Sequence, residues 1–100
     1  MVGPPRLVSL SSEGQKEVFD LRLPVIKIGR ADDNHLACPR EKTISGHHCE
    51  IFREGKDFFI RDLGSTNGVY VNSRKVDSAP LTEGDELKLG SKIFSFTRSG

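Results

Sequence analysis

Runs of five or six residues, rich in β-branched and aromatic side chains and punctuated by glycine-bearing turns, recur along this chain. They read EVFDL (Glu17–Leu21), VIKIG (Val25–Gly29), CEIFRE (Cys49–Glu54), DFFIRD (Asp57–Asp62), GVYVN (Gly68–Asn72), ELKLG (Glu86–Gly90) and KIFSF (Lys92–Phe96). Several alternate apolar and polar residues, the period of a strand with one buried face. PRLVSL near the start is a further strand candidate. No stretch repeats apolar residues at helical spacing over a helical length. Glu54-Gly55-Lys56 between two of the runs reads as a hairpin turn, and LGSTNG and LTEGDE read as longer polar loops. Many short strands joined in this way make an all-β sandwich or barrel. Phe19, Ile28, Ile51, Phe59, Val71, Leu87 and Phe94 are assigned to its core or the margin of the core.

One hundred residues suit one domain, with a core near residues 6–96 and loose ends. The formal net charge is +1, so the chain as a whole has no pull toward nucleic acid, membrane or acidic partners. Recognition of an anion must come from a local cluster. No apolar run at the start is long enough for a leader or membrane helix. With two cysteines, Cys38 and Cys49, this suggests a reducing, intracellular setting in which a disulfide is not expected.

The run TISGHHC (Thr43–Cys49) concentrates groups that do chemistry. As a metal site it would combine His35, Cys38, His48 and Cys49, but adjacent residues on a strand point to opposite faces and do not converge on one ion. Cys49 reads better as a small core residue. A Ser45–His48–Asp62 triad lacks a nucleophile elbow. A phosphate-cradling P-loop is absent, because no Gly-Lys-Ser/Thr occurs. Neither enzyme activity nor a cofactor is expected.

Three loops read together are more informative. IGRADDN follows a strand, TISGHHCEIF enters one, and DLGSTNGVYVN joins two more. The loops at one end of a sandwich cluster, so Arg30, Ser45, Thr66 and Asn67 can converge on one small anion or peptide. Gly29-Arg30, then Ser45-x-x-His48, then Ser65-Thr66-Asn67-Gly68 resembles the signature of the forkhead-associated (FHA) domain, in order and spacing. VYVN after the Asn-Gly and LTEGDELKLG before the last strand extend the resemblance over about residues 6–96.

The resemblance implies a two-sheet β-sandwich of about eleven strands that binds phosphothreonine peptides at one end. Carried over, Arg30, Ser45 and Thr66 would hold the phosphate. Asn67 and the Gly46 amide would hold the peptide main chain. Gly29, His48 and Gly68 would shape the loops. Gly46 departs from the pattern, since the family often places Arg, Lys or Asn there. Lys42, Arg40 and His47 are candidates to compensate. Thr43 and Ile44 stand where the family often reads the residue three after the phosphothreonine.

SGHHC resembles checkpoint ubiquitin ligases and kinases of this family, which implies a nuclear DNA-damage role. The implied partner is a phosphothreonine-containing protein, with no nucleic acid and no membrane, and the isolated domain is expected to be a monomer. The chain reads as a fragment whose effector lies elsewhere. Taken singly, Arg30 reads as a solvated surface residue, Ser45 as a turn cap and Asn67-Gly68 as a hairpin turn. The alternatives are an FHA-like scaffold without phosphate dependence and a small hydrolase using Ser45 and His48.

Overall fold

The computed structural model describes residues 4–11 and 13–98. Eleven strands and no helix occur among them: β1 (Arg6–Leu10), β2 (Lys16–Asp20), β3 (Val25–Gly29), β4 (Leu36–Ala37), β5 (Cys49–Glu54), β6 (Asp57–Asp62), β7 (Val69–Val71), β8 (Arg74–Val76), β9 (Ser78–Leu81), β10 (Glu86–Leu89) and β11 (Lys92–Thr97). They form two sheets, ordered β2-β1-β11-β10-β7-β8 and β4-β3-β5-β6-β9. All pairings are antiparallel except the short β3–β4 contact. The expected loose ends lie partly outside the described residues.

The two sheets share one core, because alternate residues of each strand face the other sheet. Ile26, Ile28, Cys49, Ile51, Phe58 and Ile60 come from one side, and Leu7, Val69, Val71, Leu87, Leu89, Phe94 and Phe96 from the other. Phe19 packs at its edge.

Phe59 is a correction to the expected core. DFFIRD contains two adjacent aromatic residues, and the pleat sends only one inward. Phe58 and Ile60 are buried, whereas Phe59 lies on the outer face, opposite Phe52 across the β5–β6 ladder. The two outer rings stack at 5.5 Å, with the Arg61 guanidinium 4.7 Å from the Phe52 centroid. Arg61 also binds Glu50 on the same face.

Three strands escaped the pattern reading. β4 has two residues, too few to show a period. β8 and β9 are edge strands of three and four residues, RKV and SAPL. Their charge, and Pro80 on an unpaired edge, are what edge strands use to avoid further pairing, and they mask the strand signal. β7 and β8 are joined through Asn72 and Ser73 at φ 50° and 71°, the left-handed pair that a tight hairpin turn needs.

The inward and outward assignment of the Phe58-Phe59 pair is testable. Phe58→Ala should cost about 3–5 kcal/mol of stability, as for other buried aromatic truncations. Phe59→Ala should cost clearly less, because it mainly forfeits a stacking contact of about 0.5–1.5 kcal/mol and partial burial. Urea denaturation of both variants measures this, and equal losses would contradict the register.

Candidate functional site

One end of the sandwich is organised around His48, which is completely buried just before β5. Its Nδ1 accepts the Ser45 N–H at 3.0 Å, and its Nε2 donates to the Gly68 carbonyl at 2.8 Å. Its own N–H donates to Ile28 O, and its carbonyl accepts the Leu63 N–H, each at 3.0 Å. The imidazole is therefore neutral, with the proton on Nε2. One side chain ties the β4–β5 loop to the β6–β7 loop above the last turn of β3.

Ser45 stands at the centre of this arrangement. Its carbonyl accepts the Arg30 N–H at 2.9 Å, which fixes where Arg30 leaves β3. Its Oγ accepts the Thr66 N–H at 2.9 Å. The Ser45 hydroxyl proton has no acceptor among the described residues, so it remains available to an outside oxygen. The Arg30 guanidinium is exposed and likewise makes no ion pair or hydrogen bond among the described residues.

Gly46 contributes through its backbone. Its carbonyl accepts the Ala31 N–H at 3.1 Å and Asn34 Nδ2 at 2.7 Å. This carbonyl sits where a Cβ on Gly29 would fall, which is why a glycine must precede Arg30. Asn34, 7% exposed, also donates from Nδ2 to Ala31 O at 2.8 Å, so it clamps the β3–β4 loop to the turn at Gly46. Its Oδ1 is buried without a partner, a cost accepted to keep both donor bonds.

The third loop is held from both sides. The Ser65 N–H donates to Asp62 Oδ1 at 2.8 Å, and Ser65 Oγ accepts the Gly68 N–H at 2.9 Å. Gly68 lies at φ 83°. Asn67 Nδ2 donates to Thr43 O at 2.8 Å. Thr43 Oγ1 accepts the Ser91 N–H at 2.8 Å, which joins the β10–β11 turn to the cluster. Arg30, Ser45, Gly46, Thr66 and Asn67 are thereby brought to one apex.

Other candidates lie elsewhere or are engaged. Ile44 is a correction: it is 1% exposed and belongs to the core, so its side chain does not face a ligand. The Thr43 hydroxyl is occupied by Ser91. His47 is exposed and pairs with Asp33 at 2.9 Å. The hydrogen bond from His47 holds the Asp33 carboxyl below its ordinary value. Lys42 is exposed at the rim. Arg40 lines a groove of about 460 Å³ between β2 and β4, whose lining includes none of Arg30, Ser45, Thr66 or Asn67.

The chemical alternatives fail on the same geometry. A triad needs His48 beside the Ser45 hydroxyl, but both imidazole nitrogens are committed to backbone groups. Asp62 serves Ser65. Among the zinc-type candidates, His35 Nδ1 accepts the Lys27 N–H at 2.9 Å, and Cys38 and Cys49 are buried and unpaired. Burial pushes both thiols up, away from the thiolate that a metal or nucleophile needs. In the sequence Asn34 and Ser91 do not stand out, and Ser65, a motif residue, and Asp62, a candidate only for a triad, have no loop-holding role assigned. Ser65 and Asp62 bond three residues away, a local turn signal that was readable, whereas Asn34 and Ser91 act through partners distant in sequence.

Comparison with known proteins places these observations. The family model for the FHA domain matches residues 26–90. The glycogen accumulation regulator GarA of Mycolicibacterium smegmatis is 42% identical over 72 residues, covering 72% of this chain and 45% of that protein. The chain thus spans less than half the length of this curated relative. A solved structure of EmbR from Mycobacterium tuberculosis, in complex with a low-affinity phosphopeptide, superposes with a TM-score of 0.87 at 28% identity. That match covers 98% of this chain and 25% of the EmbR chain. The FhaA FHA domain, complexed with the intracellular domain of Rv3910, superposes with a TM-score of 0.82 at 30% identity, covering 92% and 98%. These relatives give the expected checkpoint and nuclear setting no support.

The hydrogen-bond geometry sets an expectation for stability. His48→Ala leaves the Ser45 N–H and Gly68 carbonyl unpaired, whereas Asn34→Ala removes the side-chain clamp but leaves the Ala31 and Gly46 carbonyls one backbone bond each. His48→Ala should lose about 1–3 kcal/mol or more in chemical denaturation, and Asn34→Ala less, about 0.5–1.5 kcal/mol for each bond lost. A wild-type denaturation midpoint for His48→Ala would show that the imidazole does not hold the loops.

Proposed function

The chain belongs to the FHA domain family, and we propose that it is a non-catalytic module that binds phosphothreonine-containing segments of partner proteins through the apex loops. The observation that carries this reading is a pair of uncommitted donors. The Arg30 guanidinium and the Ser45 hydroxyl proton both lack a partner among the described residues, while their backbones are locked to each other. A guanidinium presents a planar fork to two phosphate oxygens and stays charged at any working pH. Phosphate carries about −1.5 to −2 charges at neutral pH, so one focused cation on a near-neutral chain can select for it.

Each apex residue then has a role. Arg30 pairs with the phosphate, the Ser45 hydroxyl donates to it, and Thr66 borders it. Asn67 has spent one amide N–H on Thr43; its other N–H and its oxygen remain for the peptide main chain. The Gly46 amide can donate beside the phosphate. His48, Gly29 and Gly68 shape the loops, and His48 does so from behind without touching the phosphate. The EmbR phosphopeptide complex and a solved FHA domain described as phosphothreonine-dependent, 28% identical with a TM-score of 0.83, support this reading. We place the module inside a cell, in signalling of the kind its regulatory relatives suggest, with residues 1–100 acting as one monomeric unit.

Arg30→Ala provides the test. Folding should change by no more than about 0.5 kcal/mol, since the side chain is exposed and unpaired. Phosphopeptide affinity should fall by about 2–5 kcal/mol, one to several powers of ten. Arg30→Lys should rescue only part of the loss, because it supplies charge without the fork. Thermal melts paired with phosphopeptide titrations make the comparison. Normal melting with undiminished binding would favour the phosphate-independent scaffold instead.

A second expectation concerns the ligand itself. The family pocket takes the threonine methyl, whose burial is worth about 1 kcal/mol. Matched peptides should therefore show phosphothreonine bound several-fold tighter than phosphoserine by calorimetry. Equal affinities would remove the methyl from the account.

A further inference from the structure

The outer face of the six-stranded sheet carries a row of three residues beside the apex. In the ladder register Lys75 of β8 lies opposite Tyr70 of β7, and Tyr70 lies opposite Lys88 of β10. Their strand neighbours Val69, Val71, Leu87 and Leu89 are buried, so the pleat turns this row outward. Both lysines are exposed, and Tyr70 is half-buried between them.

The Lys75 end of the row reaches the site. Its side chain lies along Gly68, with Cε 2.9 Å from the point a Cβ there would occupy. Gly68 follows Asn67 and gives its carbonyl to His48. The Lys75 stem therefore borders the loop that would hold the peptide main chain. Neither lysine makes an ion pair with any described residue. Asp77 just beyond β8 and Glu86 on β10 are the acids nearest along these strands, and neither pairs with them.

We infer that this row is part of the binding site and selects phosphopeptides with acidic residues on one flank of the phosphothreonine. The inference rests on the phosphopeptide reading above and adds the ligand's sequence class. A segment leaving the apex over Gly68 crosses Lys75, Tyr70 and Lys88 in turn. Two strand spacings separate the lysines, about 10 Å, which is the length of about three extended residues. Two carboxylates four residues apart share one face of an extended segment, about 13 Å apart, within reach of the two flexible ammonium groups, and the residue midway faces Tyr70. Tyr70 between them offers an apolar ring for the intervening side chain and a phenol for its backbone.

The experiment uses four fluorescent peptides at one fixed ionic strength. They are a phosphothreonine peptide with neutral flanks, the same peptide with two acidic residues four apart on the amino side, its counterpart on the carboxyl side, and the better acidic peptide without phosphate. The proteins are wild type, the double variant Lys75→Ser with Lys88→Ser, and a charge-matched control, Lys16→Ser with Lys56→Ser, whose residues lie on β2 and the β5–β6 turn. One acidic phosphopeptide should bind wild type about fivefold to tenfold tighter than the neutral one. The gain, read as the ratio of acidic to neutral phosphopeptide affinity for each protein, should vanish in the Lys75/Lys88 variant and persist in the control. Equal binding of acidic and neutral phosphopeptides to wild type overturns the inference while leaving phosphate recognition intact. So does a gain that survives loss of both lysines, or one that falls equally in the control. Phosphopeptides that bind no better than the unphosphorylated one overturn the underlying reading and this inference together.

Discussion

A single buried imidazole sets the geometry of the whole apex. His48 joins an N–H of one loop to a carbonyl of another, and its backbone is pinned to Ile28 and Leu63 at the top of the sandwich. A neutral histidine suits this task because it offers one donor and one acceptor on opposite sides of a rigid ring. Asparagine or serine would be too short or too flexible to span the same gap. With the two loops held, Ser45 can give its carbonyl to Arg30 and its Oγ to Thr66, and each segment's position follows from the next.

This scheme spends backbone groups and short side chains on structure and keeps the long or charged ones free. The serine, asparagine and threonine bonds within the loops organise them before any ligand arrives, so less ordering is left for binding to cost. Arg30, Lys42, Lys75 and Lys88 remain without protein partners among the described residues. By contrast, Arg61 and Lys92 are paired with carboxylates elsewhere on the surface, and His47 is paired with Asp33 within the apex loops. Local potential rather than the net charge of +1 governs what the apex attracts.

The long central strands were legible because they are buried on one face and alternate accordingly. VIKIG, CEIFRE and DFFIRD coincide with β3, β5 and β6 residue for residue. The in–out choice at Phe58-Phe59 was not legible, since two adjacent phenylalanines satisfy either register until the partner strand fixes it. The edge strands were hidden by their own protective charge and proline. At the apex, the motif residues could be named from order and spacing, but Ile44 could not be recognised as core from a loop sequence. Asn34 was invisible for a related reason: one bond is local, but its other partner, the Gly46 carbonyl, is twelve residues away.

Gly46 shows how the sequence and the site constrain each other. Its carbonyl is doubly bonded and abuts Gly29, so the backbone at this position is fixed by its neighbours. Its side-chain direction, however, is open: nothing lies within 4 Å of where a Cβ would stand, and its φ is not in the left-handed region. Neither space nor backbone strain requires a glycine. The family's usual side-chain contact at this position is therefore absent through residue choice, not through geometry. A site with one fewer group on the phosphate draws a larger share of its affinity from elsewhere along the peptide. On the proposed reading, that places more weight on the surface beside Gly68, where the Lys75 stem lies against the loop.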